Sequence, residues 1–155
     1  MIEEKVIIES ELIGCSEDEI RDLESKYNIQ LPQSYKEFLR KMGKNSSSLV
    51  DFNEFAIEYD SVMKMTEESR QLIDECKLES EQLGLDEEIV ELPPNALLIL
   101  CRLPTREFYL IEANGGEDSP VFYYGDDDEI VKEFDSFWDV LKMFIKGLQI
   151  AKQEK

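Results

Sequence analysis

Residues 16–43 read SEDEIRDLESKYNIQLPQSYKEFLRKMG, and this stretch decides the fold of the N-terminal part of the chain. Ser16 and Glu19 have the spacing of a capping box, in which each side chain accepts a hydrogen bond from an unpaired backbone N–H at a helix start. Pro32 suits the first turn of a second helix, where its missing N–H is not needed. Apolar residues follow at helical spacing up to Gly43, a natural residue at a helix C-terminus. The stretch therefore predicts two short amphipathic helices joined by a tight Leu-Pro elbow.

The composition predicts one acidic domain with a sizeable core. The chain has 155 residues, of which 42% are hydrophobic, and its 17 basic and 36 acidic residues give a formal charge of −19. We expect a single domain over residues 1–155. No apolar run approaches the roughly 18 residues of a membrane-spanning helix, and the acidic N-terminus does not resemble a signal peptide. Three scattered cysteines without Cys-x-x-Cys spacing indicate thiols in a reducing compartment, so we expect a cytoplasmic protein.

The charge and the absence of histidine restrict the function. Nucleic acid and anionic membranes are unfavourable partners for so acidic a chain, because phosphate binding requires a basic surface. A basic protein is the natural complement, and acidity that serves solubility alone is the alternative. Without histidine the chain lacks the usual general base and the commonest metal ligand. We predict no catalytic residues, no cofactor and no metal site; an enzyme built on this chain would have to use carboxylates, Lys or Tyr.

The rest of the chain predicts one more helix, then strands, then a final helix. Alternating apolar residues at 54–59 indicate a half-buried strand. Thr66 has the features of a helix N-cap, and Gly84 of the residue that follows a helix. The apolar side of this third helix consists of Leu72, Ile73, Cys76 and Leu83. Strands are predicted at 96–101, 107–113, 121–124 and 129–134, and a helix after the capping residue Ser136. Short connections favour antiparallel pairing. The predicted class is α+β: an antiparallel sheet of about four to six strands, with the N-terminal helix pair and the C-terminal helix packed on it.

A further set of residues carries a family resemblance. The first helix has Ile20, Leu23 and Glu24, and the second begins Leu31-Pro32-x-x-Tyr35-x-x-Phe38-Leu39. The later residues, in matching order, are Phe55-Ala56-Ile57, the strand at 108–111, Pro120-Val121-Phe122-Tyr123-Tyr124 and Ser136-Phe137-x-x-x-Leu141. With these the chain resembles the SUKH superfamily, which includes the domain of the fungal Smi/Knr cell-wall synthesis regulators and many bacterial immunity proteins. The resemblance spans about residues 16–148, and Gly125 with its acidic triplet departs from the aromatic residue and histidine of many relatives.

The resemblance implies a binding module without catalytic residues. In bacteria such modules often neutralise a polymorphic toxin, frequently a nuclease. We therefore expect an immunity protein that covers the active site of a cognate, basic toxin with an acidic surface. A regulatory scaffold of the Smi/Knr type is the alternative, and a histidine-free hydrolase that uses carboxylates is a third, more distant one.

The densest run of charge, 126–129, supplies the predicted contact surface. Its residues Asp126, Asp127, Asp128 and Glu129 form an acidic turn between two strands. A partner contact and a plain solvated turn are the two main alternatives, and a metal loop is a more distant one, since the Gly and the terminal Glu of a calcium loop are missing. Glu117 and Asp118, with Glu112 and Glu133, could join this surface if the meander brings the two loops together. Among the three strand tyrosines Tyr109, Tyr123 and Tyr124, one set is expected in the core, and the exposed set, to which we assign Tyr124, could supply a rigid interface anchor. A second acidic patch at residues 86–91 is better explained as a solvated surface.

Overall fold

The structure is a computed structural model and describes residues 9–47, 49, 55–86, 88–102, 107–125 and 129–153, the last without the side chains of 148–153. A short helical turn at Glu9–Glu11 precedes the main elements. In chain order these are α1 (Glu17–Tyr27), α2 (Gln33–Met42), β1 (Phe55–Ala56), α3 (Tyr59–Leu83), β2 (Ala96–Arg102), β3 (Glu107–Glu112), β4 (Val121–Tyr124), β5 (Ile130–Phe134) and α4 (Phe137–Gln153).

The five strands form one antiparallel sheet in the order β1-β2-β3-β4-β5. Leu97 of β2 lies opposite Ile111 of β3, which in turn lies opposite Val121 of β4. The interior strand β2, which pairs with β1 and β3, is buried along its apolar run from Ala96 to Cys101, as expected for a strand covered on both faces. The predicted α+β class, with helices packed on an antiparallel sheet of four to six strands, is therefore confirmed.

The helix pair forms as predicted, and its elbow is held by one carboxylate. The hydroxyl of Ser16 accepts a hydrogen bond from the Glu19 N–H at 3.2 Å, and the Glu19 carboxylate accepts one from the Ser16 N–H at 2.8 Å. These two bonds confirm the capping box. The Glu24 carboxylate accepts a hydrogen bond from the Leu31 N–H at 2.8 Å and lies 2.8 Å from the Lys36 ammonium. Glu24 of α1 thus holds the start of α2 in place through Leu31 and Lys36. Glu24 and Leu31 are both among the residues that carry the family resemblance.

The helix pair and α4 cover one face of the sheet. Tyr35 and Phe38 of α2 are fully buried against Phe137 at the start of α4. Both rings meet Phe137 edge-on, with centroids 5.1 Å and 5.4 Å away. Such pairs add about 0.5–1.5 kcal/mol to the effect of burial alone. Leu97 and Ile111 of the sheet belong to the same apolar cluster, so the main core lies between this sheet face and the three helices.

Helix α3 lies on the other face of the sheet and is longer than predicted. It begins at Tyr59 rather than at Thr66, so the assignment of Thr66 as an N-cap is wrong. Thr66 is buried inside the helix, where its hydroxyl accepts a hydrogen bond from the Leu98 N–H at 3.3 Å. The strand predicted at 54–59 is correspondingly shorter: among the described residues it comprises Phe55–Ala56, because Tyr59 already belongs to the helix.

The outer part of α3 is not covered by the fold. The exposed fraction is 53% for Leu72 and 64% for Leu83, and Cys76 is exposed as well. The predicted apolar side of α3 is thus largely exposed. The helix ends at Gly84, as predicted, and this glycine has a left-handed φ of 63°. A 25-residue helix is about 37 Å long, whereas seven-residue β2 spans about 23 Å, so α3 extends beyond the strand on which it packs.

Candidate partner-binding site

Tyr124 lies at one end of the sheet, next to the acidic turn. It is the last residue of β4 and is half-buried. Its ring stacks on Phe108 of β3, with 6.3 Å between the centroids and 17° between the ring planes. Glu129, which precedes β5, is exposed. The remaining predicted contact residues of this turn fall outside the described residues; they are Asp126, Asp127 and Asp128.

Glu117 and Asp118 lie in the loop between β3 and β4. One carboxylate oxygen of Asp118 accepts hydrogen bonds from the Ser34 hydroxyl at 2.7 Å, from the Ser119 N–H at 2.8 Å and from the Phe137 N–H at 3.1 Å. The backbone carbonyl of Glu117 accepts a further bond from the Ser34 N–H at 2.9 Å. Asp118 therefore joins the loop to the starts of α2 and α4, while the Glu117 side chain is exposed.

The predicted contact residues divide into two groups at opposite ends of β4. The loop with Glu117 and Asp118 precedes Val121, and the acidic turn follows Tyr124. Four strand residues at about 3.3 Å each separate the two groups by roughly 13 Å. Glu117 and Asp118 therefore lie at the other end of β4 from Glu129. Their contribution to one surface with residues 126–128, which lie outside the described residues, stays a prediction.

A groove that we did not predict runs between α3 and the sheet face opposite the main core. Its apolar lining comes from α3 and from strands β2 to β4. We call it the α3 groove and define it by Met65, Leu72, Ile73, Leu98, Phe108 and Tyr124. Tyr124 borders the groove and is followed in the chain by Gly125 and then by the acidic residues 126–129.

Two open cavities make up most of the groove. One has a volume of about 450 Å³ and lies between Leu72 of α3 and Phe108 of β3, with Cys101 at its floor. The second, of about 520 Å³, lies further along α3 and is bordered by Leu72, Cys76 and Tyr124. Both volumes fall in the usual range of ligand pockets, roughly 300–1,000 Å³. Leu72 borders both cavities with half of its surface exposed, so it is the central apolar residue of the groove.

Carboxylates surround the groove. Glu68 and Glu75 of α3 border the first cavity, and Glu88 borders the second. Residues 71–100 contain eight acidic residues and one basic residue, and residues 107–131 contain eight acidic residues and no Lys or Arg. The charged residues that line the two cavities are Glu68, Glu75 and Glu88, so the border of the apolar floor is negative.

The strand tyrosines divide between the two faces of the sheet. Tyr109 lies opposite Tyr123, with ring centroids 5.2 Å apart, and packs against the main core. Burial, followed by the nearby Glu133 and Glu107, raises the pKa of Tyr109. Tyr124, on the other face, is the tyrosine of the three that borders the groove.

Several exposed carboxylates are held in their charged form. The pKa of each of four carboxyl groups lies below its usual range because the carboxylate accepts a hydrogen bond from a basic side chain. The pairs are Glu17 with Arg40, Glu19 with Lys44, Glu91 with Lys77 and Asp139 with Lys142. A general acid requires the opposite shift, toward neutral pH, so these groups suit an anionic surface rather than proton transfer.

Metal-binding clusters and membrane-spanning helices are both absent from the described residues. Across residues 9–153, apart from the gaps given above, no group of three or more His, Cys, Asp or Glu side chains is placed to hold a metal ion. In that part of the chain no helix is both long and apolar enough to cross a membrane. The acidic turn at 126–128, the alternative metal loop, lies outside this range.

The sequence does contain a signal for the groove. Met65, Leu72 and Cys76 recur at spacings of seven and four residues along α3, with Glu68 and Glu75 between them. This periodicity predicts an apolar stripe beside acidic residues. It does not tell whether the sheet covers the stripe, which depends on where α3 begins and how far it extends past β2.

The fold and the acidic groove together define an α+β domain of the protein-binding type. The model of the SMI1 / KNR4 family (SUKH-1) matches residues 14–143, and the chain belongs to this family. The resemblance to the SUKH superfamily is thereby confirmed. Proteins of the family are in general non-catalytic immunity or regulatory proteins. No curated protein matches the chain significantly.

Proposed function

We propose that this protein is a cytoplasmic immunity protein, an antitoxin that binds a cognate bacterial toxin and blocks it without catalysis. Membership of the SMI1 / KNR4 family (SUKH-1) carries the proposal, because immunity proteins are one of the two roles of that family. The chain would act as one SUKH-like domain. The toxin would be a basic protein, and a nuclease fits best, because an enzyme that binds nucleic acid needs a basic active-site surface.

The charge of the chain supports a basic partner. A formal charge of −19 raises the rate of encounter with a basic protein and opposes encounter with nucleic acid. On the helix pair, basic side chains already pair with several carboxylates, among them Glu17, Glu19 and Glu24. Segment 107–131 contains no Lys or Arg, although its Glu107 pairs with Arg102 at 3.4 Å. We therefore expect this region to offer the stronger field to a basic partner.

The acidic turn and Tyr124 form the proposed contact surface. The carboxylates Asp126, Asp127, Asp128 and Glu129 would pair with basic residues of the toxin and exclude its nucleic-acid substrate. Tyr124, held by its stacking on Phe108, would act as a rigid anchor at the edge of the turn. The Asp118 carboxylate already accepts three hydrogen bonds within the protein, so Glu117 is the stronger contact residue of the β3–β4 loop. With Glu117 included, the proposed footprint would extend along the length of β4.

Co-expression with the toxin encoded in the adjacent gene tests the function. The expected result is protection of the cells and co-purification of the two proteins; a toxin that remains active in the presence of excess protein would contradict the proposal. The Asp127→Lys/Asp128→Lys variant tests the surface and is expected to slow association at least tenfold at low salt. Asp22→Lys/Glu37→Lys is the matched control, since it makes the same change in charge at exposed positions of α1 and α2.

The regulatory role of the same family is the second candidate, and the same experiment separates it from the first. A scaffold would bind several defined partners without protecting against any toxin. Its complexes would also tolerate the Asp127→Lys/Asp128→Lys change, because its binding would not depend on a basic toxin surface.

A further inference from the structure

The α3 groove is the strongest unassigned feature of the molecule. Leu72 has 53% of its surface exposed between two cavities whose other walls are Phe108 and Tyr124, both half-buried. We propose that the groove is the principal docking site for the partner and receives an apolar side chain of a basic amphipathic segment. The inference rests on the proposed function, because it names the kind of toxin segment that the immunity protein binds.

The geometry fits an apolar anchor. The floor is formed by Leu98 and Phe108, which the sheet holds in place, and the wall by Leu72 and Ile73 of α3. Hot spots at interfaces are typically large apolar or aromatic side chains that enter such water-excluding pockets. The groove also follows the axis of α3 from Met65 to Cys76, so it offers a long trough rather than a round pocket. An amphipathic helix lies in a groove of this shape with residues at positions i, i+3 or i+4 and i+7 as anchors.

The negative charge around the groove favours a basic binding partner. The acidic residues Glu68, Glu75 and Glu88 border an apolar floor, so the complementary segment carries Lys or Arg on either side of its apolar anchors. A second copy of this chain would place the same carboxylates against each other, and its charge of −19 opposes such a contact. An anionic membrane is disfavoured for the same reason. A basic protein segment is the occupant that satisfies both the apolar floor and the acidic border.

The groove and the surface proposed above share Tyr124. Tyr124 borders the groove and is followed directly by Gly125 and the acidic turn. A toxin segment seated beside Leu72 would therefore bring its neighbouring basic residues to the turn. The groove would set the residence time through apolar burial, and the turn would set the association rate through charge.

Leu72 and Leu78 provide a matched test. Both are exposed leucines of α3, at 53% and 55%, but Leu78 does not border the groove. The probe is a fluorescein-labelled amphipathic peptide of Leu and Lys at helical spacing, followed by fluorescence anisotropy. We expect Leu72→Lys to raise the Kd at least about tenfold and Leu78→Lys to change it less than about twofold. A peptide with Glu in place of Lys, and a scrambled peptide of the same composition, are expected to bind at least about tenfold more weakly.

The Leu72→Ala variant is a control for misfolding, because alanine keeps the helix and removes only the apolar contact of the leucine side chain. It should weaken peptide binding while retaining the circular dichroism spectrum and the melting temperature of the wild type. Equal effects of Leu72→Lys and Leu78→Lys would overturn the groove as the docking site. Equal binding of the Lys and Glu peptides would overturn the assignment of a basic occupant.

The same variants, tested against the toxin, separate this inference from the proposed function. If the wild type protects against the toxin and Leu72→Lys protects as well as Leu78→Lys, the function stands and the groove assignment fails. If the peptide binds at Leu72 but the wild type gives no protection, the groove stands and the immunity function fails.

Discussion

The Ser34 hydroxyl donates a hydrogen bond to the Asp118 carboxylate at 2.7 Å, across a sequence separation of 84 residues. The same oxygen of Asp118 accepts a bond from the Phe137 N–H at the start of α4. Backbone carbonyls of the adjoining loop at Gly116 and Glu117 accept from the first two N–H groups of α2, at 2.9 Å each. Since Pro32 provides no side-chain cap, the β3–β4 loop caps α2 in its place and ties two helices to the sheet.

Removal of this carboxylate should lower the stability of the fold. Asp118→Ala leaves the Ser34 hydroxyl and two backbone N–H groups without their acceptor, so we expect the free energy of unfolding to fall by about 2–4 kcal/mol. Asp118→Asn keeps one acceptor oxygen and should cost less. The neighbouring Glu117→Ala is the control, because its side chain is exposed, and should stay within about 0.5 kcal/mol of the wild type. Urea unfolding measures all three, and equal stability of the Asp118 and Glu117 variants would refute the capping role.

The local parts of the fold were predictable from the sequence because their determinants lie within a few residues. Ser16 with Glu19, and Gly84 at the end of α3, are local signals, and both helix termini form as expected. The bond between Ser34 and Asp118 has no such signal. The acidic composition predicts Asp118 as part of a contact surface. Its actual partners come from α2 and α4, and they cannot be inferred from its neighbours in the chain.

The start of α3 shows how tertiary contacts override a local preference. Thr66 followed by two glutamates is a good N-cap sequence, yet the helix begins at Tyr59 and buries Thr66 against β2. This shift is also the reason that the groove was missed. Helical periodicity places Leu72 on the apolar stripe of α3. Whether the sheet covers Leu72 depends on how α3 lies across the strands.

Thr66 should therefore contribute to stability through its hydroxyl. Thr66→Val keeps the shape but leaves the buried Leu98 N–H without an acceptor, which should lower the free energy of unfolding by about 1–3 kcal/mol. Thr66→Ser retains the hydroxyl and loses one methyl group, so a loss of about 1 kcal/mol is expected. Amide hydrogen exchange provides the specific readout: Leu98 should exchange faster in Thr66→Val than in Thr66→Ser. Similar exchange rates in the two variants would argue against the bond.

Loss of the hydroxyl group should have opposite effects on stability at Tyr35 and at Tyr59. The Tyr35 hydroxyl is fully buried and has no hydrogen-bond partner among the described residues, whereas the Tyr59 hydroxyl donates to the Glu19 carbonyl at 3.3 Å. Burial of an unpaired hydroxyl is unfavourable, so Tyr35→Phe should leave the stability unchanged or raise it by up to about 2 kcal/mol. Tyr59→Phe should lower it by about 0.5–1.5 kcal/mol. Thermal and urea unfolding of the two variants test the contrast, which a loss of stability in Tyr35→Phe would contradict.

Cys15 gives the fold a dependence on alkaline pH. Burial, with a smaller effect of Glu19, raises the pKa of its thiol from 9.0 to about 11. Between these values the folded chain retains the proton and the unfolded chain has lost it, so the unfolded state binds fewer protons and the free energy of unfolding must fall as the pH rises from 9 to 11. Below pH 9 both states are protonated and this group has no effect.

Urea unfolding at intervals of pH should show the decline in the wild type and a shallower one in Cys15→Ala. Burial also raises the pKa of Tyr35, so some decline should persist in Cys15→Ala and become shallower again when Tyr35→Phe is added. An identical slope in the wild type and Cys15→Ala would show that the Cys15 thiol does not titrate differently in the two states.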